Sequence, residues 1–204
     1  VLGGGTACKI YSGNSQSLLG GLSNVIDSFG NSTIGGGQSN LSEGIGTFIG
    51  GGYSNYDNGT NYGVIGGGYN NEVGEKGVTC GGEDNANSGS YAFLGAGQNC
   101  SIGSQSDHSV LNGGNTNSIF STGDDNTIGG GTLNVISGTA FSVTIAGGNS
   151  NTSSSYGSSI GGGYFNAVSG VYGVVPGGWD CKAIGTYSNV NGGRENQSIG
   201  HYSV

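Results

Sequence analysis

Two histidines, His108 and His201, and two adjacent acidic pairs, Glu83-Asp84 and Asp124-Asp125, are the residues of this chain best suited to acid–base chemistry. Such catalysis needs its groups converging on one reacting atom. Here the histidines stand far apart in the chain and no paired carboxylates recur. The four cysteines, Cys8, Cys80, Cys100 and Cys181, lack the C-x₂-C spacing of a zinc site. The glycine-rich stretches lack the lysine and following helix of a phosphate-binding loop. No Asp column marks a calcium-binding β-roll. These residues point away from an enzyme and from any metal or other cofactor. What recurs instead is aromatic, in pairs: Tyr53 with Tyr69, and Tyr164 with Trp179.

The elements that position these pairs follow from the chain's self-similarity at a fixed period. Let each unit start at an apolar residue p, with Gly-Gly at p+2 and p+3 and Asn at p+6. Thirteen units fit the 204 residues, with p at Leu2, Leu18, Ile34, Ile49, Ile65, Thr79, Leu94, Leu111, Ile128, Ile145, Ile160, Val175 and Val190, spaced by 14–17 residues. Position p is apolar in 12 of the 13, p+3 is Gly in all 13, and p+6 is Asn in ten and Cys in three. A second half-unit carries an apolar residue at p+8, as at Ile26, Ile102 and Ile136. A Gly often follows at p+10, as at Gly44, Gly59, Gly138 and Gly170.

Each unit reads as two short β segments closed by turns, with Gly supplying the left-handed dihedrals those turns need. The fold class expected is all-β: a parallel β-solenoid of about thirteen coils in one array over residues 1–204, with coils ~4.8 Å apart. The composition agrees. Gly is 49 of 204 residues, with one Pro and no Met, so a helical domain is excluded by Gly's helix cost of roughly 1 kcal/mol per residue. Collagen is excluded by the absence of a G-X-Y triplet.

Alternation along the strands assigns the columns. If p points inward, p−2 does too, and it is small: Ser32, Thr47, Gly63, Ala92, Ser109 and Ser158 among others. The p−1 column then points outward, yet it carries Phe48, Val64, Val78, Phe93, Val110 and Val174. A contiguous apolar strip on an outer face signals self-association; the preference of strands for Val, Thr and Phe is the alternative. The Asn column is expected to form an amide ladder between coils. Three of the cysteines replace Asn in that column as small buried thiols; a Cys80–Cys100 pairing between adjacent coils ranks below that reading because the two occupy different columns, and bonds between chains are the remaining alternative. At p+4 the four aromatics Tyr53, Tyr69, Tyr164 and Trp179 are surface decoration or a contact for a carbohydrate or another filament. Tyr62, Tyr91, Tyr172 and Tyr187, at p−3, are expected near the lateral interface.

The segments Tyr62-Gly-Val-Ile-Gly-Gly-Gly-Tyr-Asn-Asn71 and Tyr156-Gly-Ser-Ser-Ile-Gly-Gly-Gly-Tyr-Phe-Asn166 resemble the head repeats of trimeric autotransporter adhesins, such as the collagen-binding adhesin of Yersinia. Related arrays occur in fibre proteins of large viruses and environmental microbes. The resemblance covers essentially the whole chain and is specific for architecture. It implies a left-handed parallel β-roll, three chains side by side, and one apolar residue of each pair facing the threefold axis. The longer, more variable unit, the doubled glycines and the cysteines depart from the bacterial heads, and no ligand-contacting residue carries over.

The function expected is that of an extracellular or surface-exposed structural fibre, filament or adhesin segment, with the chain as its own partner. A carbohydrate-binding solenoid is the alternative, and an ice-binding one ranks below it, because the Thr127–Thr144 pair does not extend into a Thr column. Val190–Val204 followed by Val1-Leu2 keeps the repeat in phase, which suits an excerpt of a longer array or head-to-tail stacking of protomers. With net charge −8 and four Lys and Arg, nucleic acid and anionic membrane surfaces are not expected partners. No apolar run approaches the ~18 residues of a membrane helix. Asn31 and Asn58 are the glycosylation candidates, since the other Asn-x-Ser/Thr sites include ladder positions where a glycan does not fit.

Overall fold

The computed structural model describes residues 1–11, 13–58 and 61–203. Gly59, one of the p+10 glycines, and Val204, the last residue of the final unit, lie outside the described residues. The chain winds into a parallel β-solenoid of about twelve turns, against an expectation of about thirteen. Short strands from successive turns stack into two parallel sheets, one of thirteen strands and one of eleven. The eleven-stranded sheet is built from residues p−1 and p, as in Phe48–Ile49 and Val64–Ile65, and the other from p+7 and p+8, as in Val25–Ile26. Equivalent residues pair from turn to turn, so Phe48, Val64, Val78, Phe93 and Val110 stand in one column. Three successive turns extend their strands to six residues, at Val78–Glu83, Phe93–Gln98 and Val110–Asn115.

The interior is a thin slab between the sheets. Leu18, Ile34, Ile49, Ile65, Leu94, Leu111, Ile128, Ile145 and Ile160 fill the p column with no solvent exposure. Ile26, Val73, Ile102, Ile119, Ile136 and Val168 oppose them from p+8. Apolar residues at p+8 are interrupted by polar ones that also point inward: Ser42, Asp57, Asn87 and Ser153 are fully buried. Asn87 Nδ2 donates to the carbonyls of Val78 (3.1 Å) and Ala92 (3.0 Å), while its Oδ1 has no partner among the described residues. One narrow edge is lined by hydroxyls, because the bending chain there leaves carbonyls that need donors. Ser32 donates to Gly44 O (2.7 Å), Ser28 bonds Ser32 (2.9 Å), and Ser153 bonds Ser158 (2.5 Å).

The Asn ladder is present and closed. Asn55 Nδ2 donates to Asn40 Oδ1 (3.0 Å), to Gly51 O of its own turn (2.8 Å) and to Gly68 O of the next (3.0 Å). Asn55 Oδ1 in turn accepts from the backbone N–H and the Nδ2 of Asn71 (3.0 and 3.1 Å). A single carboxamide thus joins three turns through five contacts, its two N–H groups shared among three acceptors. The pattern repeats from Asn24 to Asn85 and again from Asn117 to Asn166, interrupted at Cys100.

Glycine supplies positive-φ residues in the turns as expected, as at Gly52 (φ 93°) and Gly68 (φ 94°), but it does not supply them alone. In all thirteen units p+5 is a non-glycine residue with φ between 51° and 58°, including Leu133, Phe165 and Glu195. A second set at p−3, among them Tyr62, Lys76, Tyr91, Tyr172 and Tyr187, has φ between 52° and 61°. The left-handed conformation costs an L-residue roughly 1–2 kcal/mol, and the hydrogen bonds show what offsets it. Most N–H groups donate to the following turn, as Tyr56 N–H does to Asn71 O (2.8 Å), whereas Ser54 N–H donates back to Gln38 O (2.9 Å) and Tyr187 N–H back to Val171 O (2.8 Å). A left-handed residue at each corner reverses the donor and locks the coil to the turn before it. Among the p+10 glycines Gly138 is left-handed (φ 71°), while Gly170 is required for space: a Cβ there would lie 2.0 Å from Gly185 O.

Candidate functional site

The p−1 column lies on the outer face of the eleven-stranded sheet, as alternation requires. Phe48, Phe93 and Val174 are exposed, and Val64, Val78 and Val110 are half-buried. The p+1 column beside it is mostly small, with Gly35, Gly50, Gly66, Cys80 and Gly95 in successive turns. Phe48 and Phe93 therefore stand as a ridge beside a shallow trough. Neither column contains a single charged residue. On a chain of net charge −8, these two columns add no side-chain charge to this face.

The p+4 column runs along one edge. Tyr53 and Tyr69 are bridge partners with rings stacked at 5.1 Å and 4°. Tyr164 meets Trp179 edge-on at 5.5 Å and 70°, and the Arg194 guanidinium covers Trp179 at 4.9 Å. Between the two pairs the column is polar and self-bonded, with Gln98 donating to Glu83 (2.9 Å) and Asn115 donating to Gln98 (2.8 Å). Ring faces in these pairs are thus turned largely toward neighbouring turns. A second aromatic column at p−3 is longer than the residue pattern suggests. Tyr172, Tyr187 and Tyr202 stack at 5.0 and 5.1 Å, and Tyr156 meets Tyr172 edge-on at 5.3 Å. Tyr172, Tyr187 and Tyr202 occupy the left-handed corner, and Tyr156 stands one residue before the left-handed Gly157. Tyr202 was recognisable only by extending the period one step past the last complete unit.

Around Tyr56 three acidic residues converge on the thirteen-stranded sheet. Tyr56 donates to Glu43 Oε2 (2.7 Å), and that bond, with burial and the charges of Glu43, Glu72 and Asp57, pushes its phenol up to about 12. Asp57 points the other way, into the slab, where it is fully buried. Gly44 N–H donates to its Oδ2 (2.7 Å), and Oδ1 has no partner among the described residues. Burial pushes its carboxyl from 3.8 up to about 6, against the lowering effect of the Gly44 N–H and the Thr47 hydroxyl. The folded chain therefore holds this proton more tightly than the unfolded chain does. Stability conferred by the neutral acid is full below pH 3.8, falls as pH rises toward about 6, and is flat above. Asp57→Asn is expected to remove that fall and to raise stability at neutral pH by on the order of 2 kcal/mol, read from urea unfolding at pH 4 and pH 7.5.

All four cysteines are free; Cys100 and Cys181 are buried in the ladder column, Cys8 is half-buried and Cys80 is exposed. Cys100 Sγ contacts Gly114 O at 3.6 Å, and burial raises its thiol pKa. Asn31 is exposed on a left-handed corner, whereas the Asn58 carboxamide is held by Glu72 (2.9 Å). Among the described residues no three His, Cys, Asp or Glu side chains gather where a metal could bind, and no helix is long and apolar enough to cross a membrane. No family model matches the chain, and no curated protein matches it.

Proposed function

We propose that this chain is a length of extracellular structural fibre or surface adhesin, without catalysis, in which three copies lie side by side with their p−1 rows turned toward one another. The observation that carries this reading is the uncharged row Phe48, Val64, Val78, Phe93, Val110, ending at Val174, aligned turn upon turn on a flat sheet. Its work is mechanical. Backbone ladders and the Asn column resist extension along the axis, and lateral burial of the row joins the chains. The resemblance of the glycine-asparagine repeats to adhesin heads supports the same arrangement. Phe93→Asp puts a charge in the middle of the row, where assembly would desolvate it. That variant is expected to sediment as single chains, while Glu43→Gln on the opposite sheet leaves the assembly intact. Equal masses for the two variants would overturn the reading.

The second reading is carbohydrate binding along the p+4 edge, favoured by the alignment of Tyr53, Tyr69, Tyr164 and Trp179 with the amide-bearing Gln98 and Asn115. It ranks below the fibre because a sugar stacks on a ring face, and these rings spend their faces on one another.

A further inference from the structure

The stacked tyrosines carry a chemistry that a fibre role alone does not require. Among the described residues three pairs stack nearly parallel: Tyr53–Tyr69 (5.1 Å, 4°), Tyr172–Tyr187 (5.0 Å, 15°) and Tyr187–Tyr202 (5.1 Å, 9°). All five rings are exposed, so an oxidant can reach them. Their backbones are locked in register, through the Tyr53–Tyr69 bridge and through Tyr187 N–H to Val171 O (2.8 Å) and Tyr202 N–H to Thr186 O (2.9 Å). Tyr11 and Tyr62 are equally exposed and have no tyrosine stacked on them among the described residues. We propose that these three stacked pairs are sites of oxidative phenol coupling, which staples consecutive turns of the solenoid by carbon–carbon bonds when a peroxidase and hydrogen peroxide act on the chain.

The step balances. Each phenol gives one electron and its hydroxyl proton to the peroxidase intermediate, and the peroxide leaves as two waters. The two phenoxyl radicals join through the carbons ortho to their oxygens. The two ortho hydrogens then return as protons to the phenolic oxygens, restoring both rings, so the pair loses two hydrogens in all. Register makes the coupling selective, because a partner held one turn away has an effective concentration in the millimolar range or above. At ~10 μM protein that exceeds encounter between molecules by about a hundredfold. The coupling joins turns of one chain, so its failure would leave the side-by-side assembly untouched.

The test treats the whole chain at ~10 μM with a haem peroxidase and limiting hydrogen peroxide, then reads dityrosine fluorescence, denatured mass and cross-linked peptides after proteolysis. The expected product runs as one chain under denaturing conditions, lacks two hydrogens per link, and joins Tyr53 to Tyr69, Tyr172 to Tyr187 or Tyr187 to Tyr202. Tyr187→Phe keeps the ring stack and removes the phenol. It is expected to melt with the unaltered chain and to lose both C-terminal links while keeping the Tyr53–Tyr69 link. Links distributed equally over Tyr11 and Tyr62, products of double mass, absence of dityrosine, or unchanged links in Tyr187→Phe would overturn the proposal.

Discussion

Gly52→Ala is expected to prevent the central turns from closing, with a loss of at least about 5 kcal/mol or no folded material at all. Gly52 has φ 93°, and a Cβ there would lie 2.1 Å from Gly68 O, 2.8 Å from Gly68 N and 2.7 Å from Asn55 Nδ2. Two of those neighbours are backbone atoms of the next turn, fixed by the sheet, so the contact has nowhere to relax. Gly36 provides the internal control. Its φ is 150° but nothing lies within 4 Å of the position a Cβ would take, so Gly36→Ala meets dihedral strain alone, about 1–2 kcal/mol. Circular dichroism melts of the two variants separate the effects. Equal losses would mean that backbone conformation, not turn-to-turn approach, makes the p+3 glycine invariant within this chain.

Asn71→Leu is expected to cost about 3 kcal/mol. The change keeps the branching and the number of side-chain heavy atoms but removes donors to Asn55 Oδ1 (3.1 Å), Gly67 O (3.0 Å) and Gly82 O (3.0 Å), and the acceptor for Asn85 N–H and Nδ2 (3.2 and 3.0 Å). Gly82 O retains Tyr69 N–H (2.9 Å), and Asn55 Oδ1 retains the Asn71 N–H (3.0 Å). Gly67 O and Asn85 N–H lose the bonds described for them, at roughly 1–3 kcal/mol each when buried. Asn71→Cys is expected to cost about half as much, because Cys100 and Cys181 already occupy this column with thiols directed at Gly114 O and Gly193 O. Urea unfolding of the two variants checks the order. A leucine variant as stable as the parent would show that the amide column is decoration on an otherwise sufficient backbone ladder.

The features legible in the residues are those that every turn repeats. The period, the inward p column, the small p−2 residues and the Asn ladder follow from alternation and from residue types that can do only one thing in such a place. The outward p−1 row follows from the same alternation. What stayed hidden depends on conformation that residue type does not announce. Nothing about Leu133 or Phe165 marks them as left-handed, since the requirement comes from reversing an N–H toward the preceding turn, and a well-bonded ladder tolerates the strain. Asp57 and Asn87 look like surface residues by type and are buried by position, because p+8 points inward whatever occupies it. Of the stacked corner, Tyr172 and Tyr187 show in the period at p−3, whereas their ring stacking and its extension to Tyr202 do not, because residue spacing does not set ring orientation.

If sister copies of the chain cover the uncharged row, the mass of the unaltered protein in solution shows it most directly. Sedimentation equilibrium at micromolar concentration is expected to return three times the 20.0 kDa of one chain. A stable species at the mass of one chain, with Phe48 and Phe93 left in water, would contradict it.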